Sequence, residues 1–246
     1  SGEPLRVISG SPIPGAGWER GRRGRTMFSE GRLKDQLLAA RKVLIERRVL
    51  SRSSHGDLSG RLDAQSLVVS DVADLGELTR DRMATVGLSG RPRDGALGPI
   101  AAEMVPLHSA VYQTRPATGA IVHCHPPKAT AFAVAGRPIP AVYEGLFRFG
   151  VTDEIPVAPW APRTRPELVS NVLAQMDKHP GAPAVLLGND GLLAFGPDPV
   201  AAALLAAVIE EAAEILLDAH LLGEAKPLPL DAGAWEEHHS SRRPSG

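Results

Sequence analysis

The feature that most constrains this chain is a pair of histidines, two residues apart, in a short apolar run closed by prolines. The run extends from Ala120 to His125, and Pro126 and Pro127 follow it. Its composition and length predict a β-strand that ends at the prolines. On a strand, residues i and i+2 lie on the same face, about 7 Å apart. His123 and His125 could therefore bind one divalent ion, although an isolated H-x-H also occurs on ordinary strand surfaces.

Helices are predicted on both sides of this strand in the sequence. Helical spacing of apolar residues begins after Ser29 and fades near Leu50. A capping box formed by Thr164 and Glu167, with Pro166 in the first turn, predicts the start of a second helix. A third follows Asp198-Pro199 and ends at Gly223.

Further strands are predicted between these helices. Ser66 to Val69 and Ile155 to Ala158 fit short strands, and apolar runs on both sides of Gly188-Asn189-Asp190-Gly191 predict a hairpin. Strands that alternate with helices around one core predict a single three-layer α/β/α domain. We place this domain at residues 29–226, between an N-terminal arm (1–28) and a polar C-terminal tail (227–246).

Composition narrows the functional classes. The net charge of −1 provides no basic excess for binding nucleic acid or an anionic membrane. A single cysteine, Cys124, excludes an internal disulfide and favours a reducing compartment. No apolar stretch reaches the length of a transmembrane helix, and the N-terminus lacks the pattern of a signal peptide. We therefore expect a cytoplasmic protein that binds neither nucleic acid nor membranes.

Several motifs together resemble the class II aldolase/adducin family. They occur in the family's order and spacing, and the resemblance covers roughly residues 30 to 223. The matching stretches are Leu107-His108, Tyr112-Gln113-x-Arg115-Pro116, Val122-His123-Cys124-His125-Pro126, Gly136-Arg137-Pro138-Ile139-Pro140, Ile155-Pro156-Val157-Ala158-Pro159, Leu186-Leu187-Gly188-Asn189-Asp190-Gly191 and Gly196.

The resemblance implies a fold, an oligomeric state and a metal site. It implies one α/β/α domain around a mostly antiparallel sheet, and a homotetramer with sites near the subunit interfaces. The family's sugar-phosphate aldolases hold zinc with three histidines, of which two correspond to His123 and His125. The third belongs to an Asn-His-Gly turn, where this chain has Asp190. A carboxylate can also bind zinc, or iron(II), beside two histidines, so we predict Asp190 as the third ligand. Asn-Asp-Gly is equally an ordinary turn sequence.

The chain departs from the family where catalysis and phosphate binding are expected. The family's acid/base glutamate lies four residues before a histidine. Counting from His108 reaches Met104, and only a one-residue shift or bulge would bring the neighbouring Glu103 to the site as the catalytic group.

The phosphate-binding motifs are also altered. The G-N-x-S motif corresponds to Gly56-Asp57-Leu58-Ser59, from which we predict Gly56, Asp57 and Ser59 as substrate-binding residues. The T-P-S-G loop corresponds to Val69–Val72, which contains Asp71, and two family serines correspond to Ala101 and Ala102. Phosphate binding needs hydroxyl and N–H donors without nearby negative charge. We therefore expect a substrate without phosphate.

These observations support three functional hypotheses. The first is a divalent-metal lyase, with zinc as the expected ion, that performs aldol cleavage, decarboxylation or related enolate chemistry on a small carbonyl compound. The second is an iron(II) oxygenase of 2-oxo acids, as in aminocoumarin antibiotic biosynthesis, because two histidines and one carboxylate form the usual site of such enzymes. The third is a binding module without catalysis, like the adducin head domain.

Overall fold

The computed structural model describes residues 29–93 and 96–228. The predicted arm (1–28) lies outside these residues, as does the predicted tail apart from Pro227 and Leu228. None of the described helices is long and apolar enough to cross a membrane. The helices of the described part are α1 (Glu30–Glu46), α2 (Pro99–Thr114), α3 (Pro127–Val134), α4 (Glu144–Phe147), α5 (Pro166–Lys178) and α6 (Pro199–Leu222).

Within the described residues, a seven-stranded sheet lies at the centre of the fold. Its strand order is β3-β2-β1-β4-β9-β8-β7, and every pair is antiparallel except β7 with β8. Strands β5 and β6 form a separate pair. The strands are β1 (Gly56–Arg61), β2 (Ser66–Ser70), β3 (Met83–Gly87), β4 (Ala120–Cys124), β5 (Ile139–Pro140), β6 (Glu154–Ile155), β7 (Val157–Ala158), β8 (Ala184–Leu187) and β9 (Gly191–Gly196).

Helices cover both faces of this sheet, as the three-layer prediction requires. Helices α1, α3 and α6 pack on one face, where Val122 and Cys124 of β4 join the core. Helices α2 and α5 pack on the other face, which includes Ile121 of β4. Because side chains alternate along a strand, His123 lies on the α2 and α5 side. Cys124 is fully buried on the opposite face, so it is a core residue, as its position between the histidines predicts.

The ends of three helices test the capping predictions. Ser29 caps α1, Asp198 caps α6 by accepting from Ala201 N at 2.9 Å, and Gly223 follows the last residue of α6. The predicted cap of α5 is wrong by one residue, because its N-cap is Arg165 and not Thr164. Pro166 takes the first helical position, and the residue before a proline is driven to extended backbone.

The structure corrects the sequence-based expectations at two strands. The segment from Ser53 to Ser59, whose serine, glycine and aspartate residues are typical of a turn, runs into β1, which lies between β2 and β4. Its glycines allow close packing, since a Cβ on Gly60 would lie 2.6 Å from Leu33 Cδ1. The predicted strand Ile155 to Ala158 divides at Pro156 between β6 and β7, which belong to different sheets. A proline cannot donate a ladder hydrogen bond, so it separates the two pairings.

Candidate functional site

The site forms where β4 ends beside the turn between β8 and β9. Strand β9 pairs with β4, with Leu192 opposite Cys124, so the turn lies next to His125. Asn189 takes the left-handed conformation at φ 55° that such a turn requires. A Cβ on Gly191 would lie 2.5 Å from Cys124 O, so only glycine allows this close approach. The turn thereby brings Asp190 to the two histidines.

The three predicted metal ligands meet at this point. One ligand atom each from His123, His125 and Asp190 lie within 4.8 Å of one another. Asp190 Oδ1 lies 3.0 Å from His125 Nε2, and Asp190 Oδ2 lies 3.4 Å from His123 Nε2. Ligand atoms about 2.1 Å from a tetrahedral zinc ion are about 3.4 Å apart, so the spacing suits such an ion.

The clearest sign of a metal is the ring nitrogen of His123 that faces Asp190. His123 Nε2 is buried, and its polar neighbour Asp190 Oδ2, at 3.4 Å, is too distant for a well-formed hydrogen bond. A buried polar atom without a well-formed hydrogen bond is rare because its desolvation costs free energy. A divalent ion coordinated by His123 Nε2 would remove that cost, so these residues fit the family's metal.

A buried carboxylate lies behind His123. Asp57, opposite His123 in the β1–β4 register, has Oδ2 2.8 Å from His123 Nδ1. Burial alone would lower the pKa of His123, but the negative charge of Asp57 raises it to about 9. The two acids Asp57 and Asp190 thus make this position favourable for positive charge, whether a proton or a metal ion.

Polar contacts continue from Asp57 into the core. His108 Nε2 lies 2.9 Å from Asp57 Oδ1, and His108 Nδ1 is hydrogen-bonded to Ser59 Oγ at 2.8 Å. Ser59 Oγ also pairs with the hydroxyl of Tyr112 at 2.8 Å. The pKa of Asp57 is held well below its usual range, because the charges of His123 and His108 outweigh its burial.

The predicted substrate-binding residues are part of this network or border it. Asp57 and Ser59 are fully buried, and their side chains contact His123, His108 and Tyr112. A Cβ on Gly56 would lie 2.5 Å from His123 O, so this glycine lets β1 approach β4 at the histidine. Their binding of substrate stays a prediction.

His125 is positioned by His55, which the sequence analysis did not single out. His125 Nδ1 lies 3.0 Å from the carbonyl oxygen of His55, and the two rings stack at 5.3 Å. Burial and, to a smaller degree, the positive charge of Arg163 lower the pKa of His55. His55 follows a serine-rich turn, and nothing in its local sequence indicates this position.

Arg163 was also missed. It lies between β7 and α5, and its Nη2 donates to Asp190 Oδ1 at 3.0 Å. Although burial alone would raise the pKa of Asp190, contacts with His123 and His125 and the charge of Arg163 hold it well below its usual range. Arginine is common in this sequence, so no local signal marks Arg163.

The predicted catalytic residue lies away from these contacts. Helix α2 is an uninterrupted α-helix from Pro99 to Thr114, without the bulge that would redirect Glu103. Glu103 is exposed and has no described contact with the cluster. Met104 is buried instead, with its sulfur 3.5 Å from Arg163 Nη1. A catalytic role for Glu103 stays a prediction.

An acid occupies the N-terminus of α2. Asp71 accepts from Gly98 N at 3.1 Å and from Ala101 N at 3.2 Å. A Cβ on Gly98 would lie 2.0 Å from Asp71 Oδ2, so the glycine makes room for this carboxylate. Helix N-termini are favourable sites for phosphate, and here the chain supplies its own anion.

Comparison with known protein families and sequences identifies what this chain is similar to. The model of the family described as "Class II Aldolase and Adducin N-terminal domain" matches residues 35–217. A 5-methylthioribulose-1-phosphate/5-deoxyribulose-1-phosphate aldolase of Rhodospirillum rubrum is 36% identical over 125 residues, which cover 51% of this chain and 55% of that protein. An L-fuculose phosphate aldolase of Escherichia coli O6:H1 is 28% identical over 182 residues, covering 74% and 81%.

Solved structures show the same fold. An L-fuculose 1-phosphate aldolase structure matches with a TM-score of 0.74 and 27% identity, covering 89% of this chain and 99% of that one. This match confirms the predicted single α/β/α domain around a mostly antiparallel sheet. The three relatives named are aldolases, so they give the iron oxygenase hypothesis no support.

Proposed function

Because the chain belongs to the family of class II aldolases and adducin N-terminal domains, we propose that it is a metal-dependent lyase that cleaves or enolises a small carbonyl compound without a phosphate group. The observation that carries the proposal is the convergence of His123, His125 and Asp190 on one point, with His123 Nε2 buried and directed at Asp190. An adducin-like binding module has no need of such a cluster.

Zinc is the ion that we expect in this site. Two imidazoles and one carboxylate are a common catalytic zinc set that leaves a position open for substrate. When bound, the ion acts as a Lewis acid that stabilises negative charge on the substrate oxygen.

The surrounding residues hold the ligands in place. Asp57 orients His123 through Nδ1, the carbonyl of His55 orients His125, and Arg163 orients Asp190. Partners of this kind fix the tautomer and direction of metal ligands. We therefore propose that Asp57 positions His123, and that Ser59 supports Asp57 through His108.

Proton transfer needs a group at the reacting carbon. We retain Glu103 as one candidate and add His55 as a second. The ring of His55 stacks on His125, and burial lowers its pKa, which favours the neutral imidazole that can accept a proton. Glu103 would need substrate or a neighbouring subunit to bring it into reach, because it is exposed on α2.

The substrate class is argued from Asp71. The relatives' names describe aldolases of phosphorylated sugars. In this chain Asp71 already occupies the donors of the α2 N-terminus, and a phosphate there would meet a carboxylate. We therefore propose that the substrate lacks a phosphate ester.

A matched pair of substrates tests both parts of the proposal. Zinc-loaded protein is incubated in deuterium oxide with dihydroxyacetone or with dihydroxyacetone phosphate, and exchange of the protons beside the carbonyl is followed by NMR. We expect exchange with dihydroxyacetone above that of zinc alone, and no preference for the phosphate ester. The variants His123→Ala and His125→Ala should lose both zinc and exchange, because each removes a ligand.

The control is His220→Ala, which alters a histidine near the end of α6 whose described contact is with Leu216 O. It should retain zinc and activity. Undiminished exchange in the two ligand variants would contradict the metal-site assignment. Faster exchange with dihydroxyacetone phosphate would contradict the proposed substrate and leave the metal site standing.

A further inference from the structure

Arg163 places a positive charge beside the candidate metal ligands. Its side chain is 23% exposed, and Nη2 lies 3.0 Å from Asp190 Oδ1 and 3.3 Å from His125 Nε2. We propose that Arg163 binds a carboxylate group of the substrate, so that the substrate is a small hydroxy or oxo acid. This inference rests on the proposed function and names its substrate class.

The first argument is the number of unused donors on Arg163. A guanidinium has five N–H groups in a planar fork. In the described residues, its Nη2 contacts the two oxygens of Asp190 and His125 Nε2, while Nη1 contacts only Met104 Sδ at 3.5 Å. A thioether is a weak acceptor, so Nη1 stays available to an oxygen ligand.

The second argument is charge. Asp190 is the one carboxylate in contact with Arg163 among the described residues. A metal ion on Asp190 would share that negative charge and add positive charge of its own. Arg163 is a largely buried cation, and such a cation is unfavourable without a counterion. With a metal ion bound, the site therefore favours a further anion next to Arg163.

The third argument concerns the kind of anion. An arginine fork matches the two oxygens of a planar carboxylate. A phosphate would also pair with arginine, but the N-terminus of α2, where the sequence comparison places the family's phosphate-binding serines, is occupied by Asp71. Carboxylate recognition is therefore the reading that fits both Arg163 and Asp71.

Calorimetric titration of zinc-loaded protein tests the assignment. The probes are glycolate, its neutral amide glycolamide, and methyl phosphate. We expect wild-type protein to bind glycolate and to bind both other probes more weakly. Arg163→Gln should bind glycolate about tenfold to a hundredfold more weakly, the usual effect of losing a charged hydrogen bond. Arg163→Lys keeps the charge without the fork, and should be intermediate.

The matched control is Arg165→Gln, which removes the same charge from an exposed residue of the same loop. It should bind glycolate as the wild type does. Zinc content is measured in every variant. If Arg163→Gln loses zinc, the glycolate affinity of zinc-loaded Arg163→Lys is compared with that of the wild type instead. A purely positioning role for Arg163 would change zinc affinity and leave glycolate affinity per zinc-loaded site unchanged, which would overturn the proposal.

The probes distinguish the remaining outcomes. Tighter binding of methyl phosphate than of glycolate, or equal binding of glycolamide, would also overturn the carboxylate assignment. If wild-type protein takes up no zinc, the proposed function itself fails. If zinc binds but glycolate affinity ignores Arg163, the proposed function stands and only this inference fails.

Discussion

At the scale of single residues, the pairing of Asp57 with His123 illustrates how a polar core can serve a metal site. Both side chains are fully buried, and Asp57 Oδ2 lies 2.8 Å from His123 Nδ1. A carboxylate on Nδ1 keeps the proton there and leaves Nε2 free to coordinate. The burial of Asp57 is therefore compatible with function, even though an unpaired buried carboxylate would be unfavourable.

We predict that Asp57→Asn weakens zinc binding by about tenfold to a hundredfold, because asparagine retains a hydrogen-bond acceptor but loses the charge that strengthens the ligand. The zinc dissociation constant is measured by competition with a chromophoric chelator. Asp177→Asn, an exposed substitution on α5, serves as the control and should bind zinc normally. An unaltered dissociation constant in Asp57→Asn would refute the positioning role of Asp57.

At the scale of elements, the layer that covers His123 is held together by Arg115. This residue caps the C-terminus of α2, and its guanidinium donates to Ala182 O at 2.5 Å, His179 O at 3.1 Å and Met176 O at 3.2 Å. These carbonyls lie in and after the last turn of α5, where backbone acceptors lack helical partners. Arg115 thus joins the C-terminal ends of α2 and α5, the two helices on the face of the sheet that contains His123.

We predict that Arg115→Ala lowers the free energy of unfolding by about 2 to 3 kcal/mol, because part-buried carbonyls lose a charged donor. Urea denaturation measures the change. Arg137→Ala, an exposed substitution after α3, should leave the denaturation midpoint unchanged. Zinc content of the folded Arg115→Ala protein should stay normal, and loss of zinc without loss of stability would show that Arg115 acts on the site instead.

At the scale of the whole molecule, the candidate metal ligands come from segments that are far apart in sequence. His123 and His125 belong to β4 and its end, Asp190 to the β8–β9 turn, and Asp57 supports them from β1. An ion that binds this arrangement and not the unfolded chain stabilises the fold by mass action.

We predict that zinc at about 100 times its dissociation constant raises Tm by about 5 to 10 °C, from about 2.7 kcal/mol of binding energy in a chain of this size. Thermal unfolding followed by circular dichroism, with zinc and with a chelator, provides the measurement. His125→Ala should show no such shift. Equal Tm values for wild-type protein in zinc and in chelator would argue against a folded-state metal site. Thermal unfolding does not test the homotetramer, which stays a prediction.

Local patterns determined a large part of the fold. The predicted strand with the H-x-H motif became β4, which ends one residue before His125. The Asn-Asp-Gly segment became the β8–β9 turn, and α6 begins after Asp198 and ends before Gly223 as predicted. Each of these elements carries its signal within a few residues, as side-chain periodicity, turn chemistry or capping. The order and spacing of such motifs were also enough to identify the family.

Tertiary structure alone decided the surroundings of the site. Asp57 contacts His123 only because of the register of β1 on β4. Arg163 contacts Asp190 from the loop between β7 and α5. Which of Glu103 and Met104 faces inward depends on the rotation of α2 against the sheet. Local sequence sets the conformation of an element, whereas these contacts depend on how distant elements pack, since strand register and helix rotation are set by burial across the whole core.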